Sequence, residues 1–373
     1  MRTWPKFLLL GLAILFLQGT AHATTTCTFT MDSVAKTMTL DASCWTDATI
    51  FIPDGYTLDG ANFTITAVDP PGGHFLGAII KNAGASAFVK NLKLDASGLA
   101  DVCDDGDNRL RAILFEGAGG SIMNNTILAI NQGLSGCQEG NGIEVRNAPF
   151  DGTHPGTVTV TITGNTVSNY QKNGITANGD VAATITENTV SGLGPIPFIA
   201  QNGIQLGYGA TGIVMRNKVN GSWYTGANWT SSGILVFEAN DVMIHDNEVT
   251  GSQSGIVVEA WCYLAPSADE NRIMGNKITG STWGVIVDAI GFTGYSTCSA
   301  TAGNNKVVNN TISGDGDPYG SGVFVGAYTI GSGSFAPSAV NNKVIRNTIS
   351  GFATQIDQYG AAASKVHANV FQP

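Results

Sequence analysis

An all-β solenoid of stacked coils is the fold this sequence predicts, and three observations predict it. A Gly-[Ile/Val] phrase returns at Gly142-Ile143, Gly174-Ile175, Gly203-Ile204, Gly233-Ile234, Gly255-Ile256, Gly284-Val285 and Gly322-Val323. An Asn-x-[Val/Ile] phrase returns at Asn125, Asn165, Asn188, Asn217, Asn247, Asn276, Asn310 and Asn347, and Asn369 continues the series. From Ile175 to Asn188, Ile204 to Asn217, Ile234 to Asn247 and Ile356 to Asn369 the step is always thirteen residues. Each unit holds only short alternating apolar runs closed by Gly or Asn, a strand-and-turn signature with no room for a helix.

Coils that stack in register place every Asn over the next. Asn tolerates a left-handed turn position, and stacked amides hydrogen-bond along the axis as a ladder. The apolar positions stack likewise into one continuous interior. This pattern resembles the right-handed parallel β-helix of the pectate-lyase-like superfamily, over roughly residues 50 to 371 and about ten coils. Residues 24–66 read as an N-terminal cap with the first coil, and 67–373 as the β-helix domain.

Taken in order, the chain opens with a basic Arg2 and Lys6, an apolar stretch from Phe7 to Leu17, and the small-residue site Ala21-His22-Ala23. That is the pattern of a secretory signal peptide cleaved after about Ala23. No later apolar run reaches spanning length, so an exported chain, extracellular or periplasmic, is expected. Without Arg2 and Lys6 the chain keeps 16 Lys+Arg against 28 Asp+Glu. This balance argues against a nucleic-acid partner and also against long-range attraction of polyanions. A monomer is expected.

Forty-eight glycines and 12% charged residues suit tight turns around a narrow core. Six cysteines in an oxidising compartment imply disulfides. Because only neighbouring coils approach one another, the predicted pairs are Cys27–Cys44, Cys103–Cys137 and Cys262–Cys298. In the cap, Phe29, Met31, Met38 and Leu40 alternate about a turn, which predicts a hairpin or first coil covering the end of the core. No amphipathic helix is visible to cover the other end. The acidic run Asp101 to Asn108 is either a solvated turn or a Ca²⁺ loop of hard oxygen ligands; its spacing is not that of an EF-hand.

Strand alternation then decides what faces outward. With the Ile or Val after Gly pointing inward, one outer column reads Leu114, Glu144, Thr176, Gln205, Leu235, Val257, Ile286, Phe324. A second reads Glu116, Arg146, Asn178, Gly207, Phe237, Glu259, Asp288, Gly326. The surface is polar as far as Gln205 and apolar in the first column from Leu235 onward. Apolar outward residues need covering. Insertions of seven, twelve and eleven residues after Ile256, Val285 and Val323 carry Trp261, Tyr263, Phe292, Tyr295, Tyr328 and Phe335 and are expected to fold over this half. They read either as loop packing, along with Trp223, Tyr224 and Trp229, or as a wall on which sugars stack.

The polar half has a nine-residue insertion of its own, within Cys137-Gln-Glu-Gly-Asn-Gly-Ile143-Glu144-Val-Arg146-Asn-Ala-Pro-Phe-Asp151-Gly-Thr-His154-Pro155. This stretch resembles those shared by a group of secreted bacterial β-helix proteins, whose wider superfamily includes polysaccharide lyases, polygalacturonase-type hydrolases and sugar epimerases. The motifs diagnostic of those enzymes are absent, so activity inferred from the fold is analogy. By its residues, Glu144, Arg146, His154, Lys172, Asn178, Gln201 and Gln205 converge within three coils, with Asp151 in the insertion. The competing reading is an outer Glu/Arg ladder, to which Glu116 and Arg146 are suited.

Two reactions fit such a patch. In β-elimination on a uronate polymer, Arg146 neutralises the carboxylate and Lys172 removes the proton, with His154 as alternative base or acid. In hydrolysis Glu116 and Glu144, about 8 Å apart on diagonal positions, flank the glycosidic bond. A polysaccharide or glycan is the expected partner in either case, and a non-catalytic, adhesive glycan-binding solenoid is the rival of a different class. Glu259 and Asp288 stack as like charges on adjacent coils, which raises one pKa or recruits a cation such as Ca²⁺.

Overall fold

The structure, a computed structural model, describes residues 25–150, 156–332, 335–362 and 364–372. The expected cleavage site, Asp151 and His154 lie outside the described residues. The chain winds as a right-handed parallel β-helix whose strands fall into three sheets of 11, 13 and 12 strands. We call them front, side and back, after the strands Asn141–Arg146, Val158–Thr163 and Thr166–Ser168 of one coil. Each coil contributes one strand to each sheet, and successive coils pair in register, as Ile143, Ile175, Ile204, Ile234, Ile256, Val285 and Val323 do across the front.

These inward residues are fully buried and form one unbroken core with Ile162, Ile185, Val214 and Ile244 of the side sheet and Val167, Val190, Val219 and Val249 of the back. Each such side chain contributes about 1.5–3 kcal/mol of transfer free energy. Packing also explains the glycine of the recurring phrase. A Cβ on Gly255 would lie 2.5 Å from Ile278 Cγ2 and 2.6 Å from the Gly284 carbonyl oxygen. The other six phrase glycines meet the equivalent back-sheet Val or Ile in the same way. The solenoid is narrow because its front strands lie directly on its back strands there, and only hydrogen fits between them.

The asparagine ladder runs without a break from Asn125 to Asn369. Asn247 is typical: its Oδ1 accepts from the backbone N–H and side-chain Nδ2 of Asn217, and its own Nδ2 donates to Asn276 Oδ1 and to the Val214 carbonyl. One expectation is corrected. The left-handed residue is the one before each ladder Asn, such as Glu187, Arg216, Asp246 and Arg346 with φ of 53° to 59°. That residue makes the corner and points out, leaving the Asn free to turn inward. A second, shorter ladder of Asn271, Asn305 and Asn342 stacks five positions earlier in the chain.

At the N-terminal end Phe29–Asp32 and Thr37–Leu40 form an antiparallel hairpin, clipped by Cys27–Cys44. The other two disulfides are Cys103–Cys137 and Cys262–Cys298. In the last described coil Val370 and Phe371 are more than half exposed. Among the described residues no helix is long and apolar enough to cross a membrane.

Candidate functional site

The outer columns of the front sheet are built in the predicted order. Register pairs Leu114 with Glu144, Thr176, Gln205, Leu235, Val257, Ile286 and Phe324 in turn, and Glu116 with Arg146, Asn178, Gly207, Phe237, Glu259, Asp288 and Gly326. What the residues do there differs from the expectation.

The polar half is a closed network. Glu144, 2% exposed, is held by Arg111 Nε from the preceding coil and by Asn141 Nδ2 at 3.0 Å. Arg146 reaches Glu116 Oε1 at 2.9 Å and Asp107, while Lys81 holds the other oxygen of Glu116. Burial raises the Glu116 pKa, but hydrogen bonding and charge from Lys81 and Arg146 outweigh it and leave the group below its ordinary value. Burial opposes the Arg146 charge, yet Glu144, Asp107 and Glu116 together raise its pKa. A carboxyl held ionised cannot lend a proton to a leaving group, so the Glu116/Glu144 pair is unsuited to hydrolysis. Gln205 Nε2 donates to Asn178 Oδ1 at 3.1 Å, so these two amides satisfy each other.

Lys172 is not beside Arg146. Arg146 is level with Asn178, six residues beyond Lys172 and about 20 Å along the strand. The Lys172 ammonium donates to the Ala200 carbonyl at 2.8 Å, and burial lowers its pKa to about 8. Gln201 turns inward and caps the Tyr170 and Gln171 carbonyls, bracing the turn. The proposed base and the proposed cation therefore occupy opposite edges of the sheet. The ladder reading describes this region. Arg146→Ala is accordingly expected to destabilise by about 1 kcal/mol, because the half-buried Glu116 loses one of its two cations and keeps Lys81. Urea unfolding of the variant, with the slope unchanged, measures this.

The acidic run is spent in the same manner. Asp104 pairs with His74, Asp105 with Arg109 and Asp107 with Arg146. Among the described residues the grouping within ligating reach there is Cys103, Cys137 and Glu139, and its two sulfurs are joined to each other. The donor set does not fit Ca²⁺.

The unspent chemistry lies in the apolar half. Glu259 and Asp288 stack on adjacent coils, Asp288 being 2% exposed. Among the described residues neither has a Lys, Arg or His within ion-pairing distance. Burial raises the Glu259 pKa to about 7, and the Glu238 charge adds to this; a hydrogen-bonding approach of Trp261 works against it. Asp288 is raised by burial and then by the Glu259 charge, and the Tyr328 hydroxyl counters by donating to Asp288 Oδ2 at 3.0 Å. Burial also raises Tyr328, so it stays a donor. Asp288 Oδ1 is buried without a hydrogen-bond partner, and so is the Trp261 indole Nε1 by ordinary bond geometry. Two like charges could be relieved by a cation, but only two carboxylates face each other here, which is sparse for Ca²⁺. Sharing one proton relieves them equally well.

Aromatic rings surround this pair. Trp261 packs edge-on against Phe237 and Phe292, at 5.1 and 5.2 Å between ring centres, and stacks with Trp229 at 5.9 Å. Tyr295 stacks on Phe292 at 4.7 Å. The insertions supply Trp261, Phe292 and Tyr295 of these rings, partly by lengthening front strands to ten residues, Trp283–Phe292 and Ser321–Ile330, so that they raise a wall along one edge. Two devices brace the wall. Glu238, fully buried, accepts the backbone N–H groups of Tyr263, Leu264 and Ala265, and Cys262–Cys298 joins two of the loops. Nothing in the sequence distinguishes Tyr328 or Glu238 as partners. Arg111 carries a signal, since it stands where most later coils have Asn or Ser before the Gly.

Comparison with known proteins bears on the architecture. The family described as "Right handed beta helix region" matches residues 111–371. No curated protein matches the sequence. Among solved structures, a double mutant of the periplasmic alginate epimerase AlgG aligns over 100% of both chains at 12% identity and a TM-score of 0.57. The Dettilon tailspike protein aligns over 88% of this chain and 61% of its own at 15% identity and a TM-score of 0.52. At such identities the likeness is one of fold.

Proposed function

The chain belongs to the right-handed β-helix family, and we propose that it processes a polysaccharide along its front face by acid–base chemistry at Glu259 and Asp288. The observation that carries this reading is a carboxylate pair, Asp288 buried and Glu259 half-buried, without a cation partner among the described residues and beside an aromatic wall. Support of a general kind comes from the alginate epimerase and the tailspike, which share the fold. The three disulfides fit an extracellular or periplasmic site of action.

Glycoside hydrolysis suits the pair better than β-elimination. Elimination on a uronate calls for a group that neutralises the sugar carboxylate, and the cations of the front sheet are engaged within the protein, Lys81, Arg111 and Arg146 by its own acids and Lys172 by the Ala200 carbonyl. Hydrolysis calls for two carboxyl groups with different protonation. The Tyr328 hydroxyl works toward ionised Asp288 against the burial and the Glu259 charge that raise its pKa; in this reading Asp288 leaves the shared proton to Glu259 and acts as nucleophile or stabiliser of positive charge at the sugar carbon. Glu259, nearer the surface, keeps the proton and delivers it to the leaving oxygen. One coil separates them, about 4.8 Å, close to the ~5–5.5 Å of retaining enzymes. Trp229 and Tyr295, the exposed rings of the wall, offer flat apolar surfaces to the sugar rings.

The test is incubation with a panel of polysaccharides, read for reducing ends and for the ultraviolet absorbance of unsaturated products. Reducing ends alone, with retained anomeric configuration, are expected. Turnover should fall as pH rises through about 7, as Glu259 loses its proton. Absorbing products would replace this assignment with a lyase. Silence across the panel would favour a binding protein.

A further inference from the structure

Four cations stand in a single file on the outer face of the side sheet. Arg272, Lys306, Lys343 and Lys365 are register partners on four consecutive coils. At about 4.8 Å per coil they place four positive charges within roughly 15 Å. Like charges directly opposite on neighbouring strands are destabilising. Apart from the Glu259–Asp288 stack, ion pairs of the protein set opposite charges on neighbouring coils, as in Lys81–Glu116–Arg146, Lys90–Asp59, Arg216–Glu187 and Lys277–Glu248. Among the described residues none of the four has an acidic partner within ion-pairing distance. In a chain of net charge −10, this file is a local exception.

The file is also one side of a trough of about 420 Å³. Its other side is formed by Glu270, Asn304 and Asn341, the left-handed corner residues that precede the second asparagine ladder. The Asn304 and Asn341 side chains are exposed and make no hydrogen bond to the described residues. Carboxamides in a row suit sugar hydroxyls, and cations at one per coil suit a chain with one carboxylate per sugar. Among the described residues no aromatic lines the trough, so bases would find nothing to stack on. Glu270 repels an anion at the end next to Arg272 and sets where the charged ligand stops.

We propose that this trough is a second polysaccharide site, a rail that holds an acidic chain of uronate type along the solenoid axis, away from the front groove. The proposal rests on the reading of the protein as polysaccharide-active and adds to it the charge of the polymer. Overall negative charge gives no long-range pull on such a chain, so the rail acts by contact and weakens with salt.

Binding of polygalacturonate and polymannuronate oligomers to the full chain, measured calorimetrically at low and high salt, tests it. Wild type should bind at least one of them, bind fully methyl-esterified polygalacturonate at least tenfold more weakly, and lose affinity with salt. The Lys306→Gln/Lys343→Gln double variant should bind at least tenfold more weakly than wild type, with an unchanged melting temperature or a raised one. Equal binding by the double variant, equal binding of the ester, tighter binding of single-stranded DNA, or no binding of either oligomer overturns the rail. If the double variant binds normally while Asp288→Asn has lost turnover, the rail fails and the acid–base reading stands.

Discussion

Replacing Asp288 by Asn should abolish turnover and make the protein more stable. The carboxylate faces Glu259 one coil away, receives the Tyr328 hydroxyl, and keeps a second oxygen without any partner. Removing one member of an acid–base pair costs about 10²–10⁴-fold in rate. Removing one of two buried like charges has the opposite effect on folding. The sign follows from the raised pKa of the pair. Glu259 has its pKa lifted from 4.5 to about 7, so the folded state holds a proton that the unfolded chain gives up. That contribution to stability is complete below about 4.5 and is lost as pH rises through about 7. Melting temperatures of wild type and Glu259→Gln should therefore coincide in acid and diverge above pH 7, with the variant higher by about 1–4 °C. A variant that melts lower than wild type at every pH would mean that the carboxylate is held by contacts this account lacks.

Asn247→Ala carries the largest expected loss of stability. The residue is buried in the middle of the ladder, and alanine deletes its side chain without filling the space. The backbone N–H and Nδ2 of Asn217 lose their acceptor, and the Val214 carbonyl loses a donor. Three buried polar groups at about 1–3 kcal/mol each, partly relieved by relaxation, give roughly 3–5 kcal/mol. Chemical denaturation at pH 6 measures it. Asn220→Ala, one turn away and exposed, is the control and should cost less than about 0.5 kcal/mol.

These two residues mark how much the sequence disclosed. The ladder, the disulfides and the order of both front columns follow from spacing alone, because a strand has a period of two and every coil repeats the same frame. Partnership between outward side chains does not follow from spacing. Glu116, Glu144 and Arg146 crowd together in a chain poor in charge, and crowding is the signal a catalytic patch also gives. In the structure they neutralise one another, with Arg111, Lys81 and Asp107 completing the set. Lys172 joined that patch by its proximity in the chain, although six residues of extended strand carry it to the opposite edge. Glu259 and Asp288 were legible as a like-charge stack. Their importance was not, because it depends on burial by an aromatic wall whose loops are tied by Glu238 and Cys262–Cys298. The second ladder was legible too, in Asn271, Asn305 and Asn342 five residues before the first.

The central claim is that Glu259 and Asp288 share a proton near neutral pH, and infrared difference spectroscopy measures this without any substrate. Spectra recorded from pH 4 to pH 9 should show a protonated-carboxyl band that disappears with a midpoint near 7 in wild type. In Glu259→Gln the midpoint of the remaining band should fall, because Asp288 loses the Glu259 charge though not its burial, and the band should keep its wild-type midpoint in Arg146→Ala. Carboxyl bands that vanish below pH 5.5 in all three proteins would contradict the claim.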